Sequence, residues 1–286
     1  MVLCVAAACA SCLGRSVDNK SGKQIVVTIP PLAGLVEEIV GADYQVVTLL
    51  PSGATPENYS PTARQVAALS DAEFVFSVGM LTFEQELMQR VGSEGVANVV
   101  NVNKGVELLA GGCSHDHEDE HSHHHHHAVD PHIWMSPRGL MQIVDNIAQA
   151  LVTKHPDSMR YKTNSEALMA KLAERSEAYG EVLKSAPREF LIYHPALGYL
   201  AHEFDLEQVA LENEGKNPTP SALAEIVNKV QLEGIEVLLY QQEYPLDVVK
   251  PIAEILGVKL VEINPLNKNI IAELDHIVEQ LTNKNE

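Results

Sequence analysis

The chain has 286 residues, 45% of them hydrophobic, with a formal net charge of -19 and a pI near 5.0. A chain of this length buries a substantial core and suits two lobes. Its acidic balance excludes nucleic acid and anionic membrane surfaces as partners and suits a protein that attracts cations.

The first segment, residues 1–23, carries a short Ala-rich apolar run that is too short to span a bilayer and reads as the hydrophobic region of a signal peptide, although no Lys or Arg precedes it. Small residues lead directly into Cys12, which predicts a lipoprotein processing site with Cys12 lipidated and the rest of the chain tethered outside the cytoplasm. Cys9, after Ala7 and Ala8, is the second candidate, and an ordinary secretory signal without lipid is the plainer alternative. With Cys4, Cys9 and Cys12 all in this segment, only Cys113 remains in the body of the chain, so no intrachain disulfide is expected.

The β-branched run that opens at Gln24 and ends at Pro30 predicts a buried strand, followed by a helix over LAGLVEEIVG with Gly41 as its stop. Strands are predicted at 45–50, 74–79 and 98–103, with helices from Thr62 and over LTFEQELMQRV between them. The alternation of short continuous apolar strands with helices indicates a parallel sheet covered on both faces. A helix from about Arg138 to Lys154 precedes a long polar-rich helical stretch from Asp157 to about Lys184, whose Leu168, Leu172, Tyr179 and Leu183 form one face. The plan then repeats, with strands at 189–194, 207–211, 236–240 and 259–264 and helices over PALGYLAHEF, 221–233, 246–256 and 270–283. The expected architecture is α/β: two (β/α)4 lobes, each with a parallel four-stranded sheet, over 24–156 and 186–286, joined by a single long rigid helix over 157–185.

Between the lobe's last strand and Pro137 runs CSHDHEDEHSHHHHHAVDPHIWMSP, which packs His115, His117, His121, His123, His124, His125, His126 and His127 among four acids. Such a tract has too little apolar surface to build a core, and it reads as an accessory collector of metal ions; an internal purification tag or a merely solvated loop is the bland alternative. Cys113 beside it is either a further soft ligand or an exposed thiol. In open parallel sheets ligands bind beyond the carboxyl ends of strands. Glu57, His132, His194, Gln241 and Glu243 all fall there, as does Asn264. Two imidazoles and a carboxylate with one further oxygen donor suit a four-coordinate divalent ion, in a cleft between the lobes. His155, His202 and His276 lie in helical contexts and read as surface residues without partners.

These residues also carry a resemblance. PSGATPENYSP, DPHIWMSP after an acidic His-rich loop, YHPALGYLAHEF, ENEGKNPTP and INPL together resemble the zinc and manganese substrate-binding proteins of bacterial ABC importers, over nearly all of the chain beyond its first segment. The resemblance implies an extracytoplasmic, monomeric receptor, anchored by lipid in the periplasmic space, that binds Zn2+ with high affinity and passes it to an ABC permease in the cytoplasmic membrane. It implies no enzymatic activity. His132 and His194 match family ligands, whereas Glu57 stands where the family usually has His, Gln241 where many members have an acid, and Asn264 where relatives have Asp. Exchange of an imidazole for a carboxylate hardens the ligand set towards Mn2+ or Fe2+, which is the alternative cargo. The readings from other classes are a metal-dependent hydrolase, with Glu243 as base, and a surface metal-buffering or adhesin protein working through its His tract.

Overall fold

The computed structural model describes residues 23–91, 98–111, 129–212 and 216–282. The signal-like segment with Cys12, and the His tract with Cys113, lie outside these described residues.

The first half contains β1 (Gln24–Val27), α1 (Pro30–Val40), β2 (Gln45–Thr48), α2 (Ala63–Ser70), β3 (Phe74–Ser77), α3 (Thr82–Val91) and β4 (Val99–Asn101). After α4 (Pro137–Lys154) and α5 (Met159–Leu183), the second half contains β5 (Glu189–Ile192), α6 (Gly198–Glu203), β6 (Glu207–Ala210), α7 (Pro220–Glu233), β7 (Val237–Gln241), α8 (Leu246–Leu256), β8 (Lys259–Ile263) and α9 (Ile270–Thr282). Both sheets have four strands with the orders β2-β1-β3-β4 and β6-β5-β7-β8, and every pairing between them is parallel. The α/β, two-sheet expectation is met.

Local signals set most boundaries. Proline occupies the first turn of α1, α4 and α7, where its missing N–H costs nothing. Thr62 and Gln65 cap α2 reciprocally, and the Ser136 hydroxyl accepts from the Gly139 amide at the start of α4. Gly234 and Gly257 end α7 and α8 in the left-handed conformation. The predicted helix over PALGYLAHEF forms only at Gly198–Glu203. Before it the chain turns tightly, with the Ala196 amide donating to the His194 carbonyl at 2.8 Å and the Leu197 amide to Gln208 Oε1 at 3.0 Å. Those bonds satisfy two amides that the first turn of a helix would leave without an intrahelical partner.

The spine helix α5 is fastened to both halves. Near its start Tyr161 donates to Asp43 at 3.1 Å and Asn164 to the Ile39 carbonyl at 2.9 Å; near its end Tyr179 donates to Asp275 at 2.7 Å. Its buried Leu168, Leu172 and Leu183 join one apolar core that runs through both halves, from Phe76 and Trp134 to Leu200 and Leu274. The opposite faces of the sheets carry separate smaller cores, under α2 and α3 in the first half and under α7 and α8 in the second. Several contacts cross directly between the halves. Trp134 Nε1 donates to the Pro265 carbonyl at 2.8 Å, Lys268 pairs with Glu37 at 2.7 Å, and α1 approaches residue 268 so closely that a Cβ on Gly34 would lie 2.0 Å from the Lys268 carbonyl oxygen.

Candidate metal centre

The carboxyl ends of the strands from both sheets face one small cavity of about 30 Å³. Its walls include Trp134, Tyr244, Pro265 and Leu266, so the polar groups that reach it do so in an apolar surround.

Glu57 arrives from the first sheet. After β2 the chain forms a single 3-10 turn, Pro56–Asn58, with Pro56 buried and setting the turn's first dihedral. The far side of this loop is tied down: the Tyr59 hydroxyl and Gln65 Nε2 both donate to the Leu49 carbonyl at 2.7 Å, and Tyr59 meets Phe83 edge-on at 5.3 Å. The Glu57 side chain itself is 46% exposed.

His132 lies in the buried segment before α4. Asp130 Oδ1 accepts both the His132 amide at 2.9 Å and the His132 ring at Nδ1 at 2.7 Å. One carboxylate oxygen therefore sets the residue's backbone and its ring together.

His194 follows β5, the strand flanked by β6 and β7. Its Nδ1 makes a close hydrogen bond to Glu212, a buried carboxylate at the end of β6. From β7, the Gln241 amide grips its backbone at both polar atoms, with Oε1 accepting from the His194 amide at 3.3 Å and Nε2 donating to its carbonyl at 2.7 Å. Tyr244 lies over the His194 ring at 5.9 Å.

A carboxylate can only accept, so each ring carries its proton on Nδ1 and offers the Nε2 lone pair. The two ring centroids are 5.4 Å apart. His194 Nε2 is buried without a hydrogen-bond partner, and Glu57 Oε1 lies 3.8 Å from it. One donor atom each from Glu57, His132 and His194 lie within 4.8 Å of one another. Tetrahedral coordination at about 2.1 Å sets donors about 3.4 Å apart, so a modest contraction brings the three onto one ion. A buried lone pair with no donor is costly to leave unmade, and a cation satisfies it.

Burial alone would push the His194 ring towards neutrality. The hydrogen bond and charge of Glu212, with Glu57 and Asp130 behind them, outweigh it and hold the imidazolium above the ordinary histidine range. Burial pushes the Glu243 carboxyl up, and the charge of Glu57 adds to that.

Of the residues expected at the site, Glu57, His132 and His194 come together, and Glu243 is half-buried in the same wall. Gln241 also lines the cavity, but both ends of its amide are taken up by the His194 backbone. Asn264 is turned into its own loop, where Oδ1 accepts the Leu266 amide at 3.0 Å. Asp130, Glu212, Trp134 and Tyr244 were not expected. Asp130 stands two residues before a ligand candidate, and Glu212 follows the carboxyl end of β6 beside β5, so the same carboxyl-end rule that found the histidines reaches both acids. Among the other histidines, His155 is not a surface residue without partners: it is half-buried and bonded to Tyr44 at 2.8 Å and Glu73 at 2.7 Å. His276 pairs with the Glu262 carbonyl at 3.2 Å, and His202 is exposed.

Comparison with known proteins points the same way. The family model of zinc-uptake complex component A, periplasmic (ZnuA), matches residues 25–283. The high-affinity zinc uptake system protein ZnuA of Bacillus subtilis (strain 168) is 32% identical over 271 residues, covering 92% of this chain and 85% of that protein. The zinc-binding lipoprotein AdcA of Streptococcus pneumoniae (strain ATCC BAA-255 / R6) is 30% identical over 277 residues, covering 92% of this chain and 54% of that protein; the chain thus spans about half the length of AdcA. A crystal structure of a zinc-bound internal-deletion mutant of ZnuA superposes with a TM-score of 0.81 at 25% identity, over 93% of this chain and 98% of that one.

Proposed function

The chain belongs to the ZnuA family, and from that premise we propose that it is an extracytoplasmic receptor that captures a single Zn2+ ion between its lobes and hands it to an ABC permease. The observation that carries this reading is the buried, unpartnered His194 Nε2, facing Glu57 and within one ion's reach of the His132 and Glu57 donors. Glu57, His132 and His194 act as ligands, and Glu243 borders the fourth position, filled by solvent or by its own carboxylate. Gln241 holds His194 rather than the ion. No helix among the described residues is long and apolar enough to cross a membrane. The tether in this reading is a lipid on Cys12, which small residues precede.

Capture exchanges the ion's water for two neutral imidazoles and a carboxylate in a cavity with largely apolar walls, where their attraction is screened less than in solvent. The hydrolase reading is separated from the receptor by assay: metal-loaded protein should turn over no ester, peptide or phosphate substrate. Release requires the donors to part. The Glu57 turn is the exposed member and the part suited to move, since Asp130 holds one imidazole and Glu212 and Gln241 hold the other.

Metal analysis of protein purified without added metal, followed by competitive titration of Zn2+ against Mn2+, tests the proposal. One tightly held zinc per chain is expected. Stoichiometric preference for manganese would keep the receptor and transfer the cargo, in line with Glu57 standing for an imidazole. Absence of any tight site, or zinc binding confined to residues 114–127, would end it.

A further inference from the structure

The two imidazoles at the site are braced by different routes. His132 is held by a near neighbour, Asp130, two residues back in the chain. His194 is held from both adjacent strands: Glu212 reaches its ring from β6 and Gln241 reaches its backbone from β7. Glu212 lies two residues past β6 and is tied back to the end of β5, its own amide donating to the Tyr193 carbonyl at 2.8 Å and the Leu211 amide to the Ile192 carbonyl at 2.9 Å. The Tyr193 hydroxyl also donates to Asn217. A carboxylate only 3% exposed is costly to bury, and one whose backbone is bonded to the end of β5 has little freedom to leave the ring nitrogen it faces.

We propose that Glu212 is the positioning residue that sets zinc preference at this site, by holding His194 in the Nδ1–H tautomer and strengthening its Nε2 as a donor. A charge-assisted hydrogen bond at one ring nitrogen raises the basicity of the other. Zinc gains more than manganese from a stronger imidazole donor, since manganese favours oxygen ligands. In a chain whose third donor is Glu57 rather than an imidazole, this bond supplies nitrogen donor strength that the ligand count has lost. Part of the ENEGKNPTP motif thereby acquires a role: it delivers the brace.

The inference rests on His194 being a ligand, and its test separates the two. Glu212→Gln keeps an acceptor at Nδ1 without the charge, and Glu212→Ala removes both. Nitrogen NMR of the metal-free full chain reads the His194 tautomer, and competitive titration reads Zn2+ and Mn2+ affinity. The expected result is the Nδ1–H form retained in Glu212→Gln with zinc about 10-fold weaker, and mixed tautomers in Glu212→Ala with zinc about 100-fold weaker. Manganese falls less in both, so the zinc-to-manganese ratio drops; general damage to the fold would lower both metals alike. Equal losses for the two metals, or unchanged zinc affinity in Glu212→Gln, overturn the inference. Should Glu212→Ala fail to fold, Glu212→Gln decides alone. If His194→Ala binds zinc as the parent does, the site assignment itself has failed and the role of Glu212 falls with it; if His194→Ala loses zinc while both Glu212 variants keep it, only the role of Glu212 is lost.

Discussion

The buried half of the site and its exposed half are built to different rules. His132 and His194 each have a carboxylate on Nδ1, lie 7% exposed and half-buried respectively, and stand on segments that share the continuous core. Glu57 sits on a single turn of 3-10 helix, anchored at Tyr59 and Gln65 beside it, with its side chain 46% exposed. The difference teaches that affinity and release need not compete for the same residues. On the proposed ligand set, two donors would be fixed for tight binding while the third, at the mouth, would be the one to part for release.

The most severe way to break this contrast is to remove a fixed donor. Structural zinc sites contribute about 10–16 kcal/mol over four ligands, about 2.5–4 kcal/mol each, so His132→Ala or His194→Ala should each weaken zinc by roughly a hundredfold or more in competitive titration. Loss of less than tenfold at either position would dissolve the fixed half. Glu57→Ala should cost less, about ten- to a hundredfold, and should speed zinc dissociation in stopped-flow chelator chase more than it slows association. Equal damage from Glu57→Ala and His194→Ala would show the halves to be one unit. Glu57→His should sharpen the contrast in the other direction, raising zinc affinity relative to manganese.

Acid should act on the fixed half first. In the metal-free protein the His194 ring titrates above its ordinary value, and with Nδ1 already protonated the added proton goes to Nε2, where it competes with the ion. Zinc affinity should therefore fall as pH falls through that raised value, earlier than an ordinary imidazole would predict and by up to about tenfold per pH unit from this residue. The same group stabilises the metal-free fold below the unfolded-state value, and that contribution is lost as pH rises through the folded value, so metal-free and zinc-loaded melting curves should respond to pH with opposite sign. Flat zinc affinity between pH 7.5 and 5.5 would contradict a braced imidazole ligand. The smallest effect concerns packing: Trp134→Phe leaves the Pro265 carbonyl unpaired and should lower stability to urea by about 1–3 kcal/mol while zinc still binds. A collapse of zinc binding there would mean that the fixed half depends on that one cross-lobe bond.

Much of this was legible in the chain. Short apolar strands separated by capped helices led to two parallel sheets, because such strands must be covered on both faces. The rule of carboxyl ends then gathered Glu57, His132 and His194 without any distance in hand. What stayed hidden was how each polar group divides its hydrogen bonds. Gln241 has the composition of a ligand, yet its geometry makes it a backbone clamp. Glu212 looked like one acid among many in a loop motif, because the β5–β6 register that brings it to His194 is a pairing between strands and not a spacing along the chain. His155 appeared isolated for the same reason: its partners Tyr44 and Glu73 are 111 and 82 residues away.

One glycine carries a consequence for anyone who would redesign this molecule. Where α1 meets the carbonyl of Lys268 there is no space for even a methyl group. Gly34→Ala should thus act as a wedge between α1 and the turn at Lys268, forcing the two halves apart at that contact while the side chains of Glu57, His132 and His194 are unchanged. Weakened zinc retention in that variant, with an enlarged radius of gyration by small-angle scattering, would register it; unchanged values of both would mean the joint yields elsewhere.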